Sequence, residues 1–246
     1  IYRYNRALVR KKNTTDESIL GLIKNQNMEM LEDGTRKNAV LASSQRDYIA
    51  GEVSKDLTKR LLLPEKIVKA HEEGVLYFHD MDYFLQPIFN SSVINIGDML
   101  YNGTVINGKL IESPKSFRVA CTVLAQILAT VASTQYGGQS VNISHLGKYV
   151  RKSYEKFKEE FGGVTSKEIL DKKIKEEVTS GVQTLQYQIN TLMTTNGRSP
   201  LVSLFMYLRE DDEYIKENAL IIEEILKQRI EGMKDAEGKY INPEFP

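Results

Sequence analysis

The chain has 246 residues, and its 33 Lys and Arg residues balance its 33 Asp and Glu residues. This length fits one large domain or two small ones, and the balanced charge gives no bulk attraction for nucleic acid. The apolar runs are too short and too interrupted to span a bilayer. The single cysteine, Cys121, excludes an internal disulfide and favours a reducing, cytoplasmic setting.

The first hundred residues predict short helices followed by short strands. A cap at Thr14 begins a helix that runs to about Glu32. A second helix is predicted from Arg46 to Leu61, and a third runs from Pro64 to about Glu73. The apolar runs Val75–Phe78 and Val93–Ile96 are expected to be strands.

The rest of the chain alternates turns, long helices and one apolar run. Asn107-Gly108 predicts a hairpin beside Thr104–Ile106. Pro114 is expected to open a helix whose apolar residues recur every four positions, from Val119 to Val131. Further on, we predict helices at 147–160 and 166–194, a strand at 201–208 and a helix at 211–232. Strands separated by long helices favour an α/β architecture with a parallel sheet or barrel.

Two segments are rich in neutral polar residues beside apolar ones. Ser133–Ser140 contains two glycines among amides and hydroxyls, and Gln183–Gly197 carries glutamines, threonines and asparagines. Such groups hold a polar ligand by hydrogen bonds without placing a charge near it. The alternative is that both segments are helix caps and turns.

Five separated motifs in collinear order resemble the anaerobic (class III) ribonucleoside-triphosphate reductases. These motifs are Gln45–Leu57, Phe78–Tyr83, Asn102–Thr104, Ser133–Ser140 and Asn190–Gly197. The resemblance implies the first half of a ten-stranded α/β barrel of the glycyl-radical enzyme type, with long amphipathic helices. Residues 1–40 are then a helical segment following an ATP-cone, and residues 41–246 are the N-terminal half of the barrel, cut before its C-terminal half.

The resemblance also implies radical chemistry that reduces ribonucleotides to deoxyribonucleotides. In the family, an activase that uses S-adenosylmethionine installs a glycyl radical, which oxidises a cysteine on a finger loop. Formate is the usual reductant, and a structural zinc lies in the C-terminal half. All these groups are expected beyond Pro246, so we expect this chain alone to bind no cofactor and to reduce no ribonucleotide.

One departure from the family pattern concerns a second cysteine, which the family carries in an Asn-Cys pair before the first barrel strand. Here Asn90 is followed by Ser91, and a hydroxyl cannot form the sulfur-centred radical that this step needs. The position is changed in an inactive or altered variant, the protein runs a modified reduction, or the chain is a degenerate copy. We favour the first interpretation.

Candidate nucleotide contacts follow from the same resemblance. The expected substrate contacts are Asn190, Thr194, Thr195, Asn196 and, from its place before the turn, Tyr77. A simple helix cap is the alternative for Asn196. Lys115 and Gln126 match positions near the family's effector site, where dNTP or ATP binds at a homodimer interface. A solvated lysine and a helix-surface amide are the alternative.

Other residues are predicted to be structural. Cys121 is expected to be a buried hydrophobe, and His79 with Asp80 to stabilise a turn instead of binding zinc. We also expect self-association through the apolar faces at Ile127, Val131 and Val182–Leu192. Two other functions stay open: a non-catalytic nucleotide-binding or dimerisation module, and another glycyl-radical enzyme.

Overall fold

The computed structural model describes residues 14–24, 41–86, 88–135, 137–162, 166–195, 199–242 and 245. The described residues up to Ile88, together with Thr195, form one compact unit. Phe89–Thr194 and the described residues from Ser199 onward form a second. Within these ranges no helix has both the length and the apolar character that crossing a lipid bilayer requires.

The first unit consists of helices. They are α1 (Thr14–Ile23), α2 (Ala42–Leu57) continued by a π-helical turn (Thr58–Leu62), α3 (Glu65–Glu72) and a 3-10 turn (Met81–Tyr83). The buried Ser54 hydroxyl of α2 donates to the Met81 carbonyl oxygen at 3.0 Å, which fixes the 3-10 turn against α2. Pro64 precedes the first residue of α3, as its fixed φ and missing N–H favour.

The predicted strand at Val75–Phe78 is wrong, because this segment is irregular. Val75 and Tyr77 are 76% and 77% exposed, so their apolar side chains are not buried on a sheet face. Asp80 then adopts a left-handed φ of 54° and leads into the 3-10 turn. The apolar run therefore lacked both a pairing partner and a core within the described part of the first unit.

The second unit combines strands with long helices. In chain order its elements are β1 (Ser92–Ile94), α4 (Ile96–Tyr101), β2 (Thr104–Ile106), β3 (Lys109–Ile111), α5 (Phe117–Ala132), β4 (Gln139–Asn142), α6 (Gly147–Glu160), α7 (Lys167–Thr191), β5 (Val202–Phe205), α8 (Ile215–Glu231), β6 (Met233–Lys234) and β7 (Tyr240–Ile241). The strands β1, β4 and β5 form a parallel sheet in the order β1-β4-β5. Parallel strands separated by helices confirm the α/β class.

The boundaries of several elements differ from the predicted ones. The helix expected at Pro114 begins at Phe117, because the Ser116 hydroxyl caps it by accepting from the Val119 N–H at 3.5 Å. The helix expected to reach residue 194 ends at Thr191. The strand expected at 201–208 is only four residues long. The hairpin at Asn107-Gly108 is confirmed, and both residues have positive φ.

The core lies between the sheet and the layer of helices. Phe117 and Ile127 of α5 and Val182 and Ile189 of α7 are at most 1% exposed. Burying such a side chain stabilises the fold by about 1.5–3 kcal/mol. Ile127 and the apolar residues of Val182–Ile189 pack into the chain's own core, and self-association of the chain stays a prediction.

The two faces of the parallel sheet differ in what covers them. Register pairs Ile94 with Val141 and Val141 with Leu204, on the face toward the core. The alternate row pairs Val93 with Ser140 and Ser140 with Ser203. Val93 and Ser203 are exposed and Ser140 is half-buried. Because successive strand residues point to opposite faces, the sheet has one covered face and one open face.

Candidate active site at the start of strand β1

Asn90 and Ser91 lie together, directly before β1, and both are exposed. The Ser91 hydroxyl donates to Oδ1 of Asn90 at 3.1 Å. Ser91 precedes Val93 by two residues, so it continues the row of the open face. The Asn90–Ser91 pair is therefore accessible at the edge of that face.

The glycine-containing segment Ser133–Ser140 lies beside the start of β1. Gln135 is only 4% exposed, and its Oε1 accepts from the Ser92 hydroxyl at 2.8 Å. Its Nε2 donates to the carbonyl oxygens of Gly137 and Gly138 at 3.3 and 3.2 Å. The Ser92 N–H donates to the Gly138 carbonyl oxygen at 3.1 Å. These neutral groups hold the segment against β1.

The chemistry of this site is that of neutral hydrogen-bonding groups. Ser91, Ser140 and Ser203 contribute hydroxyls along the open face, and Asn90 contributes an amide. Hydroxyls and amides bind sugars, bases and phosphate esters by hydrogen bonds. Across the part of the chain that the structure describes, no three His, Cys, Asp or Glu side chains are grouped to hold a metal ion.

The predicted substrate contacts near the end of α7 are divided between the two units: Asn190 and Thr194 belong to the second and Thr195 to the first. Asn190 already uses its amide internally, because Nδ2 donates to the Gln186 carbonyl oxygen at 2.8 Å and Oδ1 accepts from the Phe245 N–H at 3.1 Å. Thr194 is 5% exposed in the same unit. Thr195 is exposed and belongs to the first unit. Asn196 lies outside the described residues, so its role stays a prediction.

Tyr77 belongs to the first unit and is highly exposed. Its ring centroid lies 5.8 Å from that of His71 and 5.9 Å from that of His79. Nδ1 of His79 is 2.6 Å from a carboxylate oxygen of Asp80. This pair lies where the chain turns, which agrees with the predicted structural role of His79 and Asp80.

The predicted effector-binding residues lie along α5. Lys115 is exposed two residues before the helix, and Gln126 is exposed on it. Nine residues separate Phe117 from Gln126, which corresponds to roughly 14 Å of helix. The side chains of Lys115 and Gln126 are both accessible to solvent.

Cys121 is confirmed as a buried hydrophobe. It is fully buried on α5, and burial, followed by the nearby Glu177 carboxylate, raises the pKa of its thiol far above the ordinary range. A thiol that stays protonated and inaccessible is a poor nucleophile. Cys121 is therefore not available as a reactive thiol.

A cavity of about 870 Å³ lies at the opposite, carboxyl end of the sheet and was not predicted. Its walls include Asn95, Asn142 and Tyr207, which lie at or just beyond the ends of the three strands, together with His145 and Lys148. Ligands often bind at the carboxyl ends of parallel strands. Ser91 is not part of this cavity, because it lies at the amino end of β1.

The family model described as anaerobic ribonucleoside-triphosphate reductase matches residues 36–246. The chain belongs to the anaerobic ribonucleoside-triphosphate reductase family. It is similar to the anaerobic ribonucleoside-triphosphate reductase of Haemophilus influenzae, with 37% identity over 100% of this chain and 35% of the relative. The Escherichia coli protein of the same name is 35% identical over 94% of this chain and 33% of the relative. The chain thus spans about a third of the length of these reductases.

A solved reductase structure has a similar fold. It is the anaerobic ribonucleotide reductase from Thermotoga maritima in complex with dATP and CTP, with a TM-score of 0.51. The similarity covers 89% of this chain and 41% of that chain at 14% identity. At this identity the similarity supports the shared fold alone.

Sequence reasoning missed how Gln135 and Gly137 engage the start of β1. Both residues lie in a motif that the resemblance singled out, but a motif does not reveal which residue a side chain contacts. The close approach of Gly137 to Asn90 depends on the pairing of β1 with β4. A glycine pair directly before a strand was the available signal, because glycine in such a place often marks close backbone approach.

Proposed function

We propose that this chain is part of an anaerobic ribonucleoside-triphosphate reductase. Such an enzyme converts ribonucleotides to deoxyribonucleotides for DNA synthesis by glycyl and thiyl radical chemistry. The observation that carries the proposal is the family match over residues 36–246. The resemblance expects a reacting thiol at the accessible Asn90–Ser91 pair beside the open sheet face, and the serine found there is the one feature that departs from this proposal.

We propose further that the sheet is part of half a barrel. Parallel sheets normally have both faces covered, yet among the described residues of the second unit the helices α5 and α7 pack on one face of the sheet. The edge strands β1 and β5 also leave unpaired backbone groups within the described part of the sheet. Further strands, supplied by the two thirds of a reductase that this chain does not span, would complete the ten-stranded barrel. In this proposal residues 41–246 belong to the barrel domain and residues 1–40 precede it.

The proposed substrate is a ribonucleoside triphosphate. In the second unit its proposed contacts are the side chains of Asn190 and Thr194. For Tyr77 and Thr195 of the first unit, and for Asn196, a substrate contact stays a prediction. The dATP and CTP named in the Thermotoga maritima complex support a nucleotide ligand. For Asn190 this role requires exchange of a hydrogen bond, because its amide is already bonded within the chain.

Effector binding and dimerisation are proposed for the outer surface of α5 and α7. Neither helix carries a charged side chain from Val119 to Ala132 or from Val178 to Thr191. Outer surfaces of helices in soluble proteins usually carry charges, so a neutral surface favours contact with another protein. A homodimer formed there would bring Lys115 and Gln126 to the interface, where a dNTP or ATP effector would bind.

The radical steps are proposed for the remainder of the enzyme. The glycyl radical site, the finger-loop cysteine and the structural zinc would lie outside this segment, as would the contact with the activase. The described residues do not supply a zinc site, and no step is assigned to a metal here. A cytoplasmic location is proposed because oxygen-sensitive radical chemistry and a free thiol both fit a reducing compartment.

Ser91 specifically favours a second candidate function. Without a thiol at this position, the segment would serve as a nucleotide-binding or dimerisation module that is not redox-active. The two candidates differ in whether position 91 takes part in electron transfer. Both candidates allow nucleotide binding, and only the reductase requires it.

A chimeric enzyme tests the two candidates. This segment would replace the corresponding third of the Escherichia coli reductase, and the product would be activated anaerobically by that reductase's activase with S-adenosylmethionine and a one-electron reductant, and supplied with formate. We expect no deoxyribonucleotide from the unaltered chimera, and turnover from its Ser91→Cys variant. The Ser92→Cys variant is the matched control and should be inactive, because residue 92 points to the covered face.

Two outcomes of this experiment would decide between the candidates. Turnover by the unaltered chimera at the rate of Ser91→Cys would show that no thiol is needed at this position. Failure of Ser91→Cys, in a chimera that still binds nucleotide, would favour the non-catalytic module.

A further inference from the structure

We infer that Gln135 and Gly137 are positioning residues that fix the side chain of residue 91 over the open face of the sheet. The inference rests on the proposed function for its importance in catalysis. It rests on the geometry around Asn90 for its physical content. Neither residue would touch the substrate, since each acts on Asn90 or on the start of β1.

Gly137 allows the backbone to approach Asn90 closely. A Cβ atom added to Gly137 would collide with the carbonyl oxygen and with Oδ1 of Asn90. These are parts of the backbone and of a short side chain, so they cannot move aside without shifting residues 90 and 91. Gly138 differs, because a Cβ there would meet Leu201 at 3.5 Å, an ordinary van der Waals contact.

Gln135 is buried and forms hydrogen bonds both to the start of β1 and to the backbone at Gly137 and Gly138. Its Oε1 accepts from Ser92, and its Nε2 donates to the carbonyl oxygens of Gly137 and Gly138. One buried amide therefore links the first residue of β1 to the backbone that packs under Asn90. Leaving such buried polar groups unpaired is unfavourable, which keeps the arrangement fixed.

The consequence for residue 91 follows from the orientation of Asn90. With Asn90 packed over Gly137, its Oδ1 accepts the hydrogen bond from the side chain of Ser91. A thiol at position 91 would donate to the same oxygen. A hydrogen bond from the neutral form favours that form and raises the pKa. The positioning residues would therefore hold a thiol protonated and pointing toward Asn90.

A reporter cysteine tests this inference in the chain itself. Ser91→Cys introduces an accessible thiol, while Cys121 is fully buried and its raised pKa makes it a slow background. The rate of iodoacetamide alkylation is measured from pH 6 to 10, which gives the pKa of the new thiol. Gly137→Ala, Gln135→Leu and Asn90→Ala are each added to Ser91→Cys, with Gly138→Ala as the matched control.

We expect each of the three substitutions to lower the thiol pKa and to raise the alkylation rate at neutral pH at least threefold. Gly138→Ala should change the rate by less than a factor of about 1.5. If Gly137→Ala does not fold, Gln135→Leu and the exposed-site change Asn90→Ala carry the test, with circular dichroism verifying the fold.

Two results would overturn the inference. One is an unchanged or slower alkylation rate in the folded variants at positions 90, 135 and 137. The other is an equal acceleration in Gly138→Ala, which would indicate general loosening. No nucleotide or radical is needed, so failure here is distinct from failure of the chimeric reductase.

Discussion

The covered and the open face of the parallel sheet have different roles, although their residues alternate along the same strands. Ile94 and Val141 pack against helices and are at most 8% exposed, whereas Val93 is 76% exposed. The covered face therefore supplies the stability of the second unit. The open face presents the hydroxyls and amides to which we assign function. Because successive residues of a strand point to opposite faces, a shift of one residue in register would exchange the residues of the two faces.

The largest expected effect is the difference in protein stability between an alanine substitution on the covered face and one on the open face. Ile94→Ala should lower the free energy of unfolding by about 2–5 kcal/mol, because it leaves a cavity under the helices. Val93→Ala, one residue earlier, should change it by less than about 0.5 kcal/mol. Urea denaturation followed by circular dichroism measures both. Equal losses would mean that the open face is packed in solution.

Close packing within the covering helices gives the next largest effect. A Cβ on Gly181 of α7 would lie 2.5 Å from the Phe117 ring of α5. Gly181→Ala should therefore destabilise by about 1–3 kcal/mol through overpacking, even though alanine favours helices. Gly21→Ala in α1 is the control, because nothing lies within 4 Å of its Cβ position, and it should stabilise by up to about 1 kcal/mol. Thermal unfolding of both variants would distinguish packing from helix propensity.

Much of the covered face could be predicted, because it depends on local pattern. The apolar repeat of α5 predicted a helix with Cys121 inside the core, and the structure confirms both. The segment Val75–Phe78 had an equally apolar composition but did not form a strand. Strand formation needs a partner at the right distance, and composition carries no information about partners.

The candidate site could be predicted only through the resemblance. Asn90 and Ser91 were singled out only because the resemblance expects an Asn-Cys pair there, not from any physical pattern. The contacts of Gln135 and Gly137 depend on the pairing of β1 with β4, which are separated by more than forty residues. Such long-range contacts cannot be read from a single sequence.

The buried thiol of Cys121 predicts a dependence of stability on pH. Burial raises its pKa, so the folded chain keeps the thiol protonated where the unfolded chain ionises, above about pH 8.5. The contribution of the protonated thiol to the free energy of unfolding is complete below that pH. It is lost as the pH rises, by up to about 1.4 kcal/mol per pH unit. Urea midpoints from pH 7 to 10 measure the slope. Cys121→Ala should remove this part of the slope, and an unchanged slope in that variant would contradict the assignment.

The smallest expected effect on stability tests whether the open face is exposed because a partner segment is absent from this chain. Val93→Thr keeps the β-branched shape and adds a hydroxyl in contact with solvent, so the free energy of unfolding should change by less than about 0.5 kcal/mol. Fluorescence of an apolar dye bound to the chain should fall, since Val93 contributes to the exposed apolar surface. Val202→Thr is the matched control on the covered face, where the valine is 4% exposed, and burying the new threonine hydroxyl should destabilise the fold by about 1–3 kcal/mol.

In the chimeric reductase, where we propose that barrel strands cover the open face, Val93→Thr should become destabilising as well. If Val93→Thr is neutral there too, the remaining strands do not close over this face, and the proposal of a half-barrel is wrong.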